Sequence, residues 1–372
     1  MRKLIYLDNA ATMQPRAEAI IKAMPILFDE YGNPSSQHSV GFRARRAVED
    51  ARQRIADALE VEPDNIFFTS GSTEAANYVM RCGYKSNIRY MSPIEHHAFL
   101  NSAKALCEVH EIPVDKYGRY LFGEVSFIDD GIICLSVGNN VIGNIVPIED
   151  YRRLWATTGC PIAIDVTQSF GHLDITEYIS RCDIAFGSFH KMGGVQGCGF
   201  IYISDDLKPQ LAPMAYGGAQ ENGFRASTEN VFGIVVGGLA SEIAFRNMRD
   251  AQKKVEKLRN YFFKLLLENF SGAMSINGEI DYNHRLAGNI NIRFDNIRGE
   301  ELLEYLNQFG ICASSGSACD SDSGEPNHVL KAIGLTDKQA NASIRFSLSE
   351  DNTKEDIEEC IKILRRGVDL LS

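Results

Sequence analysis

Short β-rich runs alternate along this chain with longer helical segments, and that alternation limits the fold more than any single residue does. Ile66-Phe67-Phe68, Ile132-Ile133-Cys134-Leu135-Ser136, Ile162-Ala163-Ile164-Asp165, Ile184-Ala185-Phe186 and Phe200-Ile201-Tyr202-Ile203 read as strands, and intervening stretches such as Arg43 to Leu59 read as helices. The pattern predicts an α/β fold around a mostly parallel sheet, with reactive groups at the strand ends. From about Glu229 to Phe270 the pattern turns helical, and Val255, Leu258, Phe262 and Leu265 recur at spacings of three and four on one face. One or two long helices are expected there, leaving the first domain. Beyond them Gly288 to Phe294 and Ala342 to Leu348 alternate with period two, and Glu300 to Gln308 and Lys354 to Leu371 read as helices. A smaller α+β domain is therefore expected at the C-terminal end.

The 372 residues suffice for two domains, at about 100–200 residues each. With 38 basic against 49 acidic side chains the net charge is −11, which argues against direct nucleic-acid binding because phosphate neutralisation needs clustered Lys and Arg. The nine cysteines stand at 82, 107, 134, 160, 182, 198, 312, 319 and 360. No two are closer than Cys312 and Cys319, so no C-x-x-C pair is available for zinc or a redox disulfide, and no metal site is expected. The opening Met1 to Asp8 carries charge where a signal peptide is apolar, and the apolar run Val231 to Ala240 is broken by glycines. Such a run is half the roughly 20 residues that span a bilayer. A cytoplasmic protein with reduced thiols and no membrane partner is the expectation. Motifs for a P-loop, a zinc peptidase and a Rossmann dinucleotide site are lacking.

Four segments and one arginine carry candidate chemistry. Asn65 to Ala76 runs from a strand through Ser70, Ser72 and Thr73 into a helix. Exposed N–H groups and the positive end of a helix dipole suit phosphate there, although Ser72 or Thr73 could equally cap the helix. Asp165-Val166-Thr167-Gln168 ends a strand. Its carboxylate could hold a protonated ring nitrogen and its carboxamide an edge oxygen of one flat heterocycle, or Asp165 could cap the next helix. Lys191 follows Gly187-Ser188-Phe189-His190 and precedes a glycine-rich turn, Met192 to Gly199. A desolvated lysine loses its ordinary pKa of about 10.4 and can attack a carbonyl, whereas a lysine on a surface loop stays protonated. Ala313 to Pro326 is almost all small or polar around one thiol, Cys319. A stretch so poor in apolar side chains is not expected to pack rigidly, and a nucleophile on it can approach a substrate and carry a product away. The other eight cysteines are expected to be small buried hydrophobes. Arg345 alternates with Ile344 and Phe346, so its guanidinium points away from the strand's apolar face and could take a carboxylate, or form a surface salt bridge.

The order of these segments is specific. Tyr6-Leu7-Asp8-Asn9-Ala10-Ala11-Thr12, Gly32-Asn33-Pro34-Ser35-Ser36, Thr69-Ser70-Gly71-Ser72-Thr73-Glu74, Glu95-His96-His97, Asn139-Asn140, Asp165-Val166-Thr167-Gln168, His190-Lys191, Arg225-Ala226-Ser227-Thr228 and Ser314-Ser315-Gly316-Ser317-Ala318-Cys319 resemble the cysteine desulfurases, pyridoxal-phosphate enzymes of the NifS/IscS kind. The resemblance runs from about residue 5 to residue 370. It implies the fold-type I pyridoxal-phosphate transferase architecture, a mostly parallel seven-stranded sheet in a large domain of residues 15–250. A smaller α+β domain of residues 1–14 and 251–372 would carry the cysteine loop.

By the same resemblance Lys191 matches the lysine that carries the cofactor covalently, and His96 the histidine that stacks on its ring and handles protons. Asp165 matches the partner of the pyridine nitrogen, and Gln168 and Asn140 match groups that hold the ring. Ser72, Thr73, Ser188 and His190 match the phosphate cradle, Thr228 a threonine that reaches the phosphate of the other subunit, and Asn33 and Arg345 the groups for the substrate carboxylate. Cys319 matches the thiol that accepts sulfur from L-cysteine, with His96 expected to help it lose its proton. A homodimer and a sulfur-acceptor protein are implied as partners, in iron–sulfur cluster assembly or tRNA thiolation. The chain departs from the family where Val195-Gln196 replaces Pro-Lys and Val141 replaces Glu, and it ends without the tail that scaffold-binding members use. A selenocysteine lyase, a small-amino-acid aminotransferase of the same superfamily and a catalytically silent sulfur-transfer adaptor are the competing readings. Cys319 argues against the aminotransferase, and Lys191, Asp165 and Cys319 together argue against the adaptor.

Overall fold

The apolar runs in the sequence lack polar alternation because both faces of their sheet are covered. The computed structural model describes residues 3–316 and 325–372, so Cys319 lies outside the described residues. The strands are β1 (Ile5–Tyr6), β2 (Ile66–Thr69), β3 (Ile88–Met91), β4 (Glu108–Glu111), β5 (Ile132–Ser136), β6 (Ile162–Asp165), β7 (Ile184–Ser188), β8 (Gly199–Ile203), β9 (Ser275–Ile276), β10 (Asn289–Arg293), β11 (Ile311–Cys312) and β12 (Ser343–Ser347). Seven of them form one sheet in the order β2-β8-β7-β6-β5-β3-β4. β8 pairs antiparallel with β7 and β2, while the pairs β7-β6, β6-β5, β5-β3 and β3-β4 are parallel. Because β2 and β7 are each antiparallel to β8, β2 runs in the common direction. The sheet is therefore mostly parallel, as expected.

Alternate residues of each central strand enter different cores. Ile66, Phe68, Ile133, Leu135, Ile162, Ile164, Ala185 and Phe200 pack with the helices Ala17–Phe28, Ser39–Leu59 and the first half of Val231–Phe270. Phe67, Ile132, Cys134, Ala163, Ile184, Phe186 and Ile201 pack on the opposite face with Ser72–Arg81 and His97–Leu106. This two-sided burial, with side chains pointing to opposite faces in turn, is what a parallel sheet requires.

A second core gathers Ile5, Leu7, Ile290, Ile292, Ile344, Phe346, and the helices Gly299–Gln308 and Lys354–Leu371. It lies on the antiparallel sheet β12-β10-β9 and the short parallel pair β1-β11. The expected one or two long helices are a single one, Val231–Phe270. Its Ile234, Val236, Ala240 and Ile243 belong to the first core, and its Val255, Leu258, Phe262 and Leu266 to the second. At 1.5 Å per residue it is about 60 Å long, enough to act as a spine for both. By length and composition this helix could cross a membrane, yet 67% of its most apolar stretch is buried inside the protein.

One buried ion pair ties the loop after β8 to the first core. Arg52 Nη1 and Nη2 meet Glu221 Oε2 and Oε1 at 2.9 Å each, Nη1 also donates to Ile66 O, and Phe68 N donates to Glu221 Oε2 at 2.8 Å. The two side chains are 9% and 2% exposed. Removing one charge leaves the other desolvated and uncompensated. Glu49 still neutralises the Arg52 Nε edge, so Glu221→Gln is expected to cost about 3 kcal/mol, the low end for a broken buried pair. The measurement is the unfolding midpoint in denaturant at constant slope.

Candidate active site

Because β2, β3, β5, β6 and β7 run the same way, their carboxyl ends share one edge of the sheet. Ligands of open α/β sheets bind at that edge. Thr69 leads from β2 to Ser72, β3 leads to Glu95 and His96, Ser136 ends β5, Asp165 ends β6, and Ser188 leads from β7 into the single turn Phe189–Lys191. Of these, Ser72, His96, Ser136, Asp165, Ser188 and Lys191 line one cavity of about 260 Å³ together with Ala10, Ala11, Thr73, Asn140, Thr167, Gln168, His190 and Arg345. Ten of the expected residues thus meet at one place, although they are spread from position 72 to position 345.

The hydroxyl end of the cavity is built from three strands. Ser72 Oγ lies 2.6 Å from Ser188 Oγ and 2.8 Å from Thr167 Oγ1, and Ser72 N donates to Ser188 Oγ at 2.7 Å. The turn is tight because Gly71 has φ of +146°, which L side chains rarely adopt. Helix Ser72–Arg81 begins here without a side-chain cap, so the capping alternative for Ser72 does not hold, and its first N–H groups face the hydroxyls. Glu74 does not spoil the anion site, since it accepts Arg225 Nε at 2.9 Å and Ser70 N at 2.6 Å.

Asp165 is buried and accepts Thr167 N at 2.8 Å. Burial pushes its carboxyl above the usual range, against the Thr167 hydrogen bonds and the charge of Lys191, which pull it down. A buried carboxylate facing a cavity is suited to a cationic N–H partner. Lys191 Nζ donates to Ala10 O and Ala11 O at 2.7 Å each. Its turn is seated by Phe189, which packs against Gly237 so closely that a Cβ on that glycine would overlap the ring. His190 Nδ1 lies 3.1 Å from Thr12 Oγ1, and burial, then the Lys191 charge, lowers the ring to about 4. His96 Nδ1 accepts Ala98 N at 3.1 Å, which places the proton of the neutral ring on Nε2.

Arg345 departs from the expected surface setting. All five residues of β12 are buried, and the guanidinium is 1% exposed because residues 7–10 cover the strand's polar face. Nη2 pairs with Asp8 Oδ1 at 2.8 Å and Nη1 donates to Asn140 O at 2.8 Å. Asn33 and Thr228, by contrast, are exposed and do not line this cavity within the single chain. Of the eight described cysteines six are buried, and Cys107 and Cys312 are half-buried.

Sequence reasoning placed residues 8–12, Glu95 and Asn139 in motifs but gave them no role. The turn Asp8–Thr12 supplies carbonyls to Lys191, and Ala10 O also accepts Gln168 Nε2 at 3.0 Å. Main-chain acceptors leave no trace in residue type. Glu95 is fully buried behind His96, accepting Ser136 Oγ at 2.5 Å and Tyr120 OH at 2.6 Å, and burial raises it to about 7. Asn139 of the Asn139-Asn140 pair is structural, its side chain bonded to Ile94 O, Val141 N and Ile142 N.

The sequence matches the aminotransferase class-V family over residues 5–360. It is 38% identical to a protein named cysteine desulfurase IscS from Clostridium botulinum, with 98% of this chain and 94% of that protein covered. A solved NifS-like protein superposes with a TM-score of 0.90 at 30% identity, covering the whole of both chains. The structure titled SspA in complex with cysteine superposes with a TM-score of 0.78 at 27% identity, over 94% of this chain and 99% of that one. The sheet order and the second core are those of fold-type I pyridoxal-phosphate enzymes, and pyridoxal phosphate is the cofactor of this family. Sequence and architecture agree over nearly the full length, and the chain belongs to the class-V aminotransferase family.

Proposed function

We propose that this protein is a pyridoxal-phosphate-dependent cysteine desulfurase that takes sulfur from L-cysteine and leaves L-alanine. The observation that carries the reading is the convergence of Lys191, Asp165, Arg345 and the Ser72–Ser188 hydroxyls on one cavity, in a chain whose relatives are named for that activity. The residues fit the cofactor. Three hydroxyls at an uncapped helix start suit a phosphate, a buried carboxylate suits a protonated pyridine, and a lysine amine lines the same cavity. When bound, pyridoxal phosphate supplies an electron sink for charge developing at the substrate Cα.

The chain's own residues then divide the work. Ser72, Thr73, Ser188 and His190 hold the phosphate, with Thr228 reaching the site of a second subunit. Gln168, Asn140 and His96, which line the cavity, would hold the ring. Asp165 keeps the ring nitrogen protonated, and its burial strengthens that pairing. Lys191 Nζ, held by the Ala10 and Ala11 carbonyls, would take the substrate Cα proton and return it to Cα when alanine forms. Arg345 and Asn33 bind the substrate carboxylate, the former already desolvated. His96, with Nδ1 engaged by Ala98 N, presents a proton at Nε2. That geometry suits delivery of a proton better than the acceptance expected from sequence. Cys319 attacks the substrate sulfur as thiolate; an S–S bond forms, the Cβ–S bond breaks, and Cβ takes the electron pair and a proton to become the methyl of alanine.

The two cores support a large domain of residues 15–250 and a small one of residues 1–14 and 251–372. The exposed Asn33 and Thr228 support a homodimer, and a cytoplasmic sulfur-acceptor protein completes the reading. Mass spectrometry of the protein after L-cysteine tests it. A gain of one sulfur atom on Cys319, with alanine in solution, is the expected result; alanine without sulfur on that residue would refute the assigned nucleophile.

A further inference from the structure

The Arg345 guanidinium already holds a carboxylate of this chain. Asp8 Oδ1 sits 2.8 Å from Nη2, the Asn140 carbonyl takes Nη1, and Nε is buried with no hydrogen-bond partner among the described residues. With the guanidinium 1% exposed, Asp8 is the carboxylate that compensates its charge at short range among the described residues. Burial lowers its proton affinity and Asp8 offsets that loss. A second carboxylate arriving at this guanidinium meets both a partly satisfied cation and the negative charge of Asp8.

Asp8 is not an isolated ligand. It opens the turn whose Ala10 and Ala11 carbonyls hold the Lys191 amine, and its own carbonyl accepts Ala11 N at 3.0 Å. Asn9 Nδ2 and Ala10 N fasten the same turn to Ser347, two residues beyond Arg345 on β12. One short segment therefore contacts both the amine and the guanidinium on which the proposed reaction depends.

We propose that Asp8 is a positioning residue and resident counter-ion for Arg345, and that the substrate carboxylate binds by exchanging with Asp8 on the guanidinium. This rests on the reading of Arg345 as the carboxylate receptor. The exchange lowers affinity for any simple carboxylate, because Asp8 must first be given up. In return Arg345 is kept charged, desolvated and aimed at the cavity before substrate arrives, as preorganisation requires.

The test uses the holoenzyme and L-alanine, which has the carboxylate and amine of the substrate but no sulfur, with binding followed in the visible absorption of the cofactor. Asp8→Asn keeps the shape and an acceptor oxygen but removes the competing charge. Its dissociation constant for L-alanine is expected to fall about tenfold, the factor equivalent to one charge-assisted hydrogen bond at its weaker end. Asp8→Glu is expected to restore weak binding, and ethylamine, which lacks the carboxylate, to bind wild type and variants alike. Asp8→Ala serves should the asparagine variant fail to fold, with the same direction expected. An unchanged or larger constant in a variant that melts like wild type overturns the exchange, as does an equal shift for ethylamine. If wild type itself shows no spectral response to L-alanine while Arg345→Lys behaves identically, the receptor reading fails instead and the inference falls with it.

Discussion

Lys191→Ala is expected to abolish turnover, lowering the rate by at least about 10⁴-fold, since in the proposed reaction one amine serves both as attachment point and as base. Its surroundings show why no neighbour substitutes. Among the described polar groups of the cavity, His190 is pinned to Thr12 and lowered to about 4, Asp165 is engaged by Thr167 N, and His96 Nδ1 by Ala98 N. The fold should survive, because Phe189 against Gly237 seats the turn through contacts that do not involve the lysine side chain. The variant should therefore still bind pyridoxal phosphate through the hydroxyl cradle and Asp165, but borohydride reduction should no longer fix the cofactor to the protein. Small amines in the buffer should restore a measurable fraction of the rate. A variant within tenfold of wild type, or one still labelled at another residue, would remove Lys191 from its assigned role.

The parts of this molecule that were legible in the sequence are those where a physical requirement falls on residue type. β5, β6 and β7 show as unbroken apolar runs because helices cover both faces of the sheet. β4 does not show, being an edge strand whose Glu108, Val109 and Glu111 are exposed. β3 is disguised by Arg89, which is 1% exposed and spends its guanidinium on the carbonyls of Val79, Met80, Ser86 and Ile88. No periodicity announces an arginine that caps a neighbouring helix from inside a sheet. Arg345 illustrates the same limit. Alternation along β12 correctly directs it away from Ile344 and Phe346, but only the tertiary placement of residues 7–10 decides that this second face is buried rather than wet. Ten residues named by resemblance line one cavity, whereas Asp8, the Ala10 and Ala11 carbonyls and the Glu95–Ser136–Tyr120 cluster act through main-chain atoms or distant contacts.

Cys319→Ser is expected to reduce alanine formation from L-cysteine by about 10³-fold or more, the scale of losing a nucleophile whose reactivity depends on its ionised form. The described flanks of its segment explain why this thiol, and not Cys312, is assigned the attack. Ser314 pairs with Arg345 through Ser314 N to Arg345 O at 3.1 Å and Arg345 N to Ser314 O at 2.6 Å. On the far side His328 Nε2 lies 2.9 Å from Glu95 O, next to His96. The described flanks are thus fastened beside Arg345, which lines the cavity, and beside Glu95, which precedes the cavity residue His96. Cys312 is held in β11 against β1, and burial with the nearby Asp8 charge raises its thiol, which disfavours the thiolate that attack requires. The serine variant should keep cofactor absorbance and its response to L-alanine, because neither depends on the sulfur acceptor. Loss of the cofactor response together with turnover would mean that residue 319 supports the site rather than the sulfur transfer; full turnover with free sulfide released would show that sulfur leaves without passing through it.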